Sequence, residues 1–231
     1  MTKIINFIGG PGVGKSTTAL GVAYALKKRR LNIEYVAEYA KDVTWEGTHA
    51  LLENQTHIFS EQFRRQFRLV GKVDFVVTDS PLLLSCVYHQ YNHHKLAHPD
   101  YVELVKEFYL ASYQQFDNVT YLVKGGVRPY NPVGRNQTAE EAVEVHNTVI
   151  ALLEERALPY KEILPEDAGV DQVLADLGLG ALASPLLTKA TPILTPAPHN
   201  PKADPKKRND RWHAIQDAAK AVDGAGVKKN G

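Results

Sequence analysis

Gly9-Gly10-Pro11-Gly12-Val13-Gly14-Lys15-Ser16 is a complete loop of the form G-x-x-x-x-G-K-[ST]. Its glycines let successive backbone N–H groups converge on a phosphate. In this pattern the lysine reaches the β- and γ-phosphates and the hydroxyl after it holds Mg²⁺. Gly10, Pro11, Gly12, Val13, Gly14, Lys15, Ser16 and Thr17 are therefore the nucleotide-binding candidates, with Ser16 also a candidate metal ligand. The flanks agree with that reading. The apolar run Ile4-Ile5-Asn6-Phe7-Ile8 precedes the loop as a buried strand. A helix follows from Thr17 to Lys28, with Ala19, Leu20, Val22, Ala23 and Leu26 on one face. Strand, glycine loop and helix aim a helix N-terminus at phosphate.

Four more strands are expected: Asn32 to Ala37, Val73 to Thr78, Val119 to Val123 and Tyr160 to Leu164. Helical patterns lie between them. One runs from Gln55 to Val70, with Ile58, Phe59, Phe63, Phe67 and Val70 on its apolar side. Another spans Asp100 to Gln115, and a third follows Thr138, which with Glu141 makes a capping box. Alternating strands and helices predict an α/β fold of the P-loop NTPase type: a five-stranded parallel sheet with helices on both faces. Residues 1–180 are expected to form this domain. Residues 181–231 read as a Pro-rich linker and a flexible basic tail, with a short amphipathic helix at Arg211–Val222.

Composition narrows the class. The chain has 231 residues and a formal net charge of +1. From residue 197 onward, eight basic residues stand against four acidic ones, so a tail of +4 hangs on a body of −3. No apolar run is long enough to span a membrane. The first strand begins almost at once, which leaves no room for a signal peptide. The single cysteine, Cys86, excludes an internal disulfide, fits a cytoplasmic setting, and is expected in the core. His89, His93, His94 and His98 match no zinc spacing and read as surface loop. A guanine-specific GTPase is disfavoured, because the nearest Asn-Lys-x-Asp run is interrupted by Pro201 and lies in the tail.

In a parallel sheet ligands sit at the carboxyl ends of the strands. The third strand ends in Thr78-Asp79-Ser80-Pro81, and Asp79 is a candidate for holding Mg²⁺ directly or through water. Motor ATPases place a water-polarising glutamate right after this aspartate. Ser80 stands there instead, which favours transfer to another acceptor over hydrolysis. The second strand delivers Glu38, a candidate to accept or orient an acceptor hydroxyl, with Asp42 in reserve. The plain alternative for either is a solvated charge at a strand end. Gly125 to Thr138 carries Arg128 and Arg135 between glycines and prolines and reads as an arginine-bearing lid. On the helix from Gln55, Gln62 is a candidate to read a base edge, while Tyr39 and Trp45 are candidates for stacking or for core packing.

Taken together, the phosphate loop, Glu38–Asp42, Thr78–Ser85 and Arg128–Thr138 resemble phage-encoded P-loop kinases, a group often labelled AAA-type ATPases. That group is distantly similar to nicotinamide-riboside and deoxynucleoside kinases, and some members are 5-hydroxymethyluracil DNA kinases. The resemblance covers about residues 1–165 and implies ATP and Mg²⁺ as cofactors. It makes Lys15 and Ser16 the ATP- and Mg²⁺-binding residues, Asp79 the metal-side acid and Glu38 the acceptor contact. It also implies action in a host cytoplasm.

The lead expectation is an ATP-dependent phosphotransferase acting on a hydroxyl of a pyrimidine nucleotide, most specifically 5-hydroxymethyluracil in phage DNA. Lys15, Glu38, Asp79, Arg128 and Arg135 are its candidate catalytic residues. One rival is a kinase of a free nucleoside or nucleotide. Another is a binding protein whose ATP site gates a partner. The basic tail beside Trp212 fits salt-dependent DNA contact or plain solubility.

Overall fold

A computed structural model describes residues 2–92, 98–125 and 129–180. Five strands form one wholly parallel sheet: β1 (Lys3–Ile8), β2 (Ile33–Val36), β3 (Phe75–Thr78), β4 (Asp117–Val123) and β5 (Lys161–Ile163). Their order across the sheet is β2-β3-β1-β4-β5. The chain runs from β1 out to one edge, returns beside β1 as β3, and then crosses to the other side as β4. The loop after β1 therefore lies at the reversal of strand order, where parallel sheets bind ligands.

Seven α-helices accompany the strands among the described residues: α1 (Lys15–Lys28), α2 (Tyr39–Trp45), α3 (Gln55–Phe67), α4 (Leu84–Asn92), α5 (Pro99–Gln114), α6 (Ala139–Glu155) and α7 (Glu166–Asp176). Side chains alternate across each strand, so both faces of the sheet are buried. Ile5, Phe7, Val77 and Tyr121 face α1 and α7, where they meet Val22, Leu26 and Val173. Ile8 and Leu122 face the other layer, where Val87, Tyr109, Val149 and Leu152 cover them. No described helix is long and apolar enough to cross a membrane.

All five expected strands form, trimmed or extended by one to two residues. The capping box at Thr138 and Glu141 is present in both halves, at 3.2 and 2.7 Å. Three faces differ from expectation. Leu20 is 51% exposed, because Thr18 and Ala25 complete the buried stripe of α1 in its place. α3 stops at Phe67, where Arg68 caps it and Gly71 turns the chain at φ 77°. Its buried side includes Gln55, Gln62 and Gln66, so the helix is rotated from the purely apolar stripe. His89 is buried on α4 against Tyr109, with ring centroids 5.6 Å apart, rather than in a surface loop. His98 caps α5 by accepting from the Asp100 N–H. His93, His94 and everything expected of residues 181–231 lie outside the described residues.

Candidate phosphate-binding cleft

The loop after β1 opens into a cleft of about 1120 Å³ at the carboxyl ends of the strands. Pro11 to Thr17 line its floor. α1 is preceded by Gly14, which sits in the left-handed region at φ 99° and has no side chain with which to cap the helix. The helix N-terminus is thus left to whatever anion enters the cleft. A Cβ at Gly14 would come within 2.7 Å of the Pro165 ring, so only glycine suits the position. Lys15 Nζ folds back on the loop, donating to the carbonyls of Gly9 at 2.9 Å and Gly10 at 2.7 Å.

Four of the five candidate catalytic residues converge here. Burial pulls the Lys15 ammonium below its ordinary pKa, while Glu38 and Asp79 push it back up and Arg135 lowers it further. Glu38 keeps part of its surface open to the cleft, yet crowding around its carboxylate raises its pKa against the pull of Lys15. Asp79 raises it too, and Lys41 and Arg135 oppose that rise. Lys15 and Glu38 thus each sit in the field of the other three groups. Arg128, the fifth candidate, lies outside the described residues.

Asp79 lies beneath the cleft rather than on its wall, only 3% exposed. Its neighbours fix it. Thr78 donates from its hydroxyl to the Val36 carbonyl at 2.8 Å and accepts from the Ser80 N–H at 3.1 Å. Gln66 then holds the Ser80 carbonyl from α3. Burial and the Asp79 carboxylate both drive the Tyr35 phenol toward its protonated form. Asp79 Oδ1 is buried without a hydrogen-bond partner. An unpartnered carboxylate oxygen under a phosphate loop, with the Ser16 hydroxyl in the cleft above, fits a divalent cation or its water.

The lid is described from Pro129 onward and is docked. Tyr130 donates from its hydroxyl to the Gln137 carbonyl at 2.6 Å, and the Arg135 guanidinium lies 5.3 Å from the Tyr130 ring centroid. A Cβ at Gly12 would meet that ring at 2.9 Å, so the lid rests directly on the phosphate loop. On the other side Asn136 donates to the Thr44 hydroxyl of α2 at 2.9 Å.

Four sequence candidates make contacts of their own. Gln62 spends both ends of its amide on backbone, accepting from the Tyr39 N–H at 2.9 Å and donating to the Ala37 carbonyl at 3.4 Å. It pins the turn that carries Glu38 and also lines the cleft. Asp42 is on α2 in an ion pair with Arg65 at 2.6 Å. Tyr39 is bonded to His57 and covered by the Arg65 guanidinium. Trp45 is neither core nor a wall of the cleft; it is 64% exposed and packs on lid residue Gly134. Sequence reasoning missed Gln66 and His146 altogether. Both act across long sequence separations, and neither belongs to a local pattern.

A family described as an AAA domain matches residues 4–169, and the chain belongs to that family. Among solved structures, the chain is similar to the NadR protein in complex with NAD and AMP-PNP. That match has a TM-score of 0.56 at 16% identity and covers 77% of this chain and 50% of the other. The chain thus spans about half the length of that protein, and the likeness is one of fold. No curated protein matches.

Proposed function

We propose that this AAA-domain family member is an ATP- and Mg²⁺-dependent phosphotransferase that phosphorylates a hydroxyl of a pyrimidine nucleotide. The observation that carries the reading is the convergence of Lys15, Glu38, Asp79 and Arg135 on one cleft, with Ser80 where a hydrolytic glutamate would stand. Pro11 to Thr17 would cradle the phosphates of ATP. Ser16 and Asp79 would hold Mg²⁺, which neutralises phosphate charge when bound.

The reaction breaks the bond between the γ-phosphorus and its bridging oxygen and forms one to the acceptor oxygen, releasing ADP. The hydroxyl proton goes to Glu38, whose raised pKa suits a proton acceptor. Lys15 and Arg135 stabilise charge on the transferring oxygens. The docked lid keeps out water that would compete with the acceptor. The acceptor side is walled by Leu52, Ile58, Leu84 and Tyr88, apolar surfaces suited to a planar base.

The most specific acceptor is 5-hydroxymethyluracil in phage DNA, by the motif resemblance. A free nucleoside or nucleotide is the second reading, favoured by the lid's contacts with both the phosphate loop and α2, which leave a small molecule the easier fit. Incubation with γ-labelled ATP, Mg²⁺ and each acceptor separates them. Label on 5-hydroxymethyluracil duplex, and none on a thymine duplex, supports the DNA-base kinase. Label on the small molecules alone supports the second reading. Label on none of them removes both.

A further inference from the structure

His146 takes no part in the chemistry above, yet it holds the phosphate loop directly. It lies on α6, and its Nδ1 accepts the Gly10 N–H at 3.1 Å across 136 residues of sequence. The carbonyl of the same Gly9–Gly10 peptide accepts from Lys15 Nζ at 2.9 Å. One peptide plane is therefore clamped at both ends, by a cation on one side and an imidazole on the other.

The two clamps differ in what they leave free. Lys15 Nζ spends two of its three donors on the Gly9 and Gly10 carbonyls and keeps one for a ligand. The imidazole holds the other end of the peptide. Glycine on both sides gives the peptide no steric resistance to turning. In this trans peptide the two groups point opposite ways, so a turn would take the Gly9 carbonyl off Lys15 and aim the Gly10 N–H at the ammonium, donor against donor. The fit is close: a Cβ at Gly10 would meet the Ala142 carbonyl oxygen at 2.4 Å and His146 Cβ at 2.9 Å.

We propose that His146 is a positioning residue for nucleotide binding, holding the Gly9–Gly10 peptide so that its carbonyl keeps the Lys15 ammonium aimed at its ligand. This rests on the reading of the loop as an ATP site. Accepting at Nδ1 requires a neutral ring, and burial together with the nearby Lys15 charge lowers the His146 pKa accordingly. The same helix starts at the Thr138 capping box, directly after the lid. α6 thus ties the lid's far end to the first half of the phosphate loop.

The test compares His146→Phe, which keeps a flat ring and loses the acceptor, with His146→Asn, whose Oδ1 replaces Nδ1. Amide hydrogen exchange at Gly10 is read by NMR without nucleotide, and ATP affinity by calorimetry. Exchange at Gly10 speeds up at least about tenfold in His146→Phe and recovers in His146→Asn. ATP affinity falls about tenfold in His146→Phe, the worth of one hydrogen bond. It recovers in His146→Asn. Unchanged Gly10 exchange in His146→Phe overturns the tie. Faster exchange with unchanged ATP affinity overturns the positioning role. A wild-type protein that binds no ATP brings down the functional reading, and the phosphate role of His146 with it, while the Gly10 exchange still reports the contact itself.

Discussion

Gly134 of the lid is seated on the indole of Trp45: a Cβ at position 134 would come within 2.7 Å of the ring, and the glycine holds φ at +69°. A flat aromatic surface on α2 thus meets a lid residue that adds no side chain. The relationship explains why a large apolar ring is left mostly exposed at the end of a short helix. Its partner is the segment that reads as a lid in the sequence.

Gly134→Ala should therefore weaken lid docking twice over, by contact with the indole and by strain at positive φ. Trp45→Ala should weaken it once. Each is expected to lower kcat/KM for phosphoryl transfer by about tenfold or more, with little change in melting temperature. Steady-state kinetics checks this. Trp45 fluorescence in a Trp212→Phe background should also respond to ATP in the wild-type lid and lose that response in Gly134→Ala.

On the proposed mechanism, Glu38 should set the acid side of the pH profile. Its pKa is raised, and the proton acceptor must be ionised, so activity should fall as pH drops through a value above the ordinary glutamate range. Glu38→Gln should cost about a hundredfold in kcat and flatten that limb, with KM for ATP little changed. A smaller loss with the limb retained would assign Glu38 to orienting the hydroxyl, since a loose transition state needs little early proton removal.

Gln62 should act on stability rather than on recognition. Gln62→Leu strips the Tyr39 N–H and the Ala37 carbonyl of their partner, at a cost of about 1–3 kcal/mol. Urea unfolding measures this. A variant as stable as wild type but altered in base preference would restore the base-reading role expected from the sequence.

Cys86 should be inert in the native protein. The side chain is fully buried, and burial pushes the thiol up to about 12, with Lys106 and Arg156 only partly offsetting it. Thiol labelling at pH 8 should proceed only with unfolding, and its rate should track the opening equilibrium.

What was legible in the sequence is what is local. The phosphate loop, the strands and the Thr138 cap are written in runs of adjacent residues, and their periods match the backbone they form. α2, α4 and α7 were not anticipated, because α2 has only seven residues and a polar sequence. α4 follows Pro81 as an apolar run without clear helical period, and α7 starts at Glu166 with φ 64°. Glu38 and Asp79 were legible as strand ends. The partners of Gln62, Asp42 and His146 were not, because a glutamine facing backbone and one facing a ligand have the same neighbours in sequence. Only the rotation of α3 and the packing of α6 on the loop decide between them.

The central claim is that this cleft sends the γ-phosphoryl group to an alcohol and not to water. The most direct measurement follows ADP, free phosphate and phosphorylated acceptor together, with and without the acceptor that takes label. The account predicts slow ADP release in the absence of acceptor. It predicts a large acceleration on adding acceptor, with ADP matched by phosphorylated acceptor and little free phosphate. ADP release that ignores the acceptor and is matched by free phosphate would contradict it and make the protein a hydrolase.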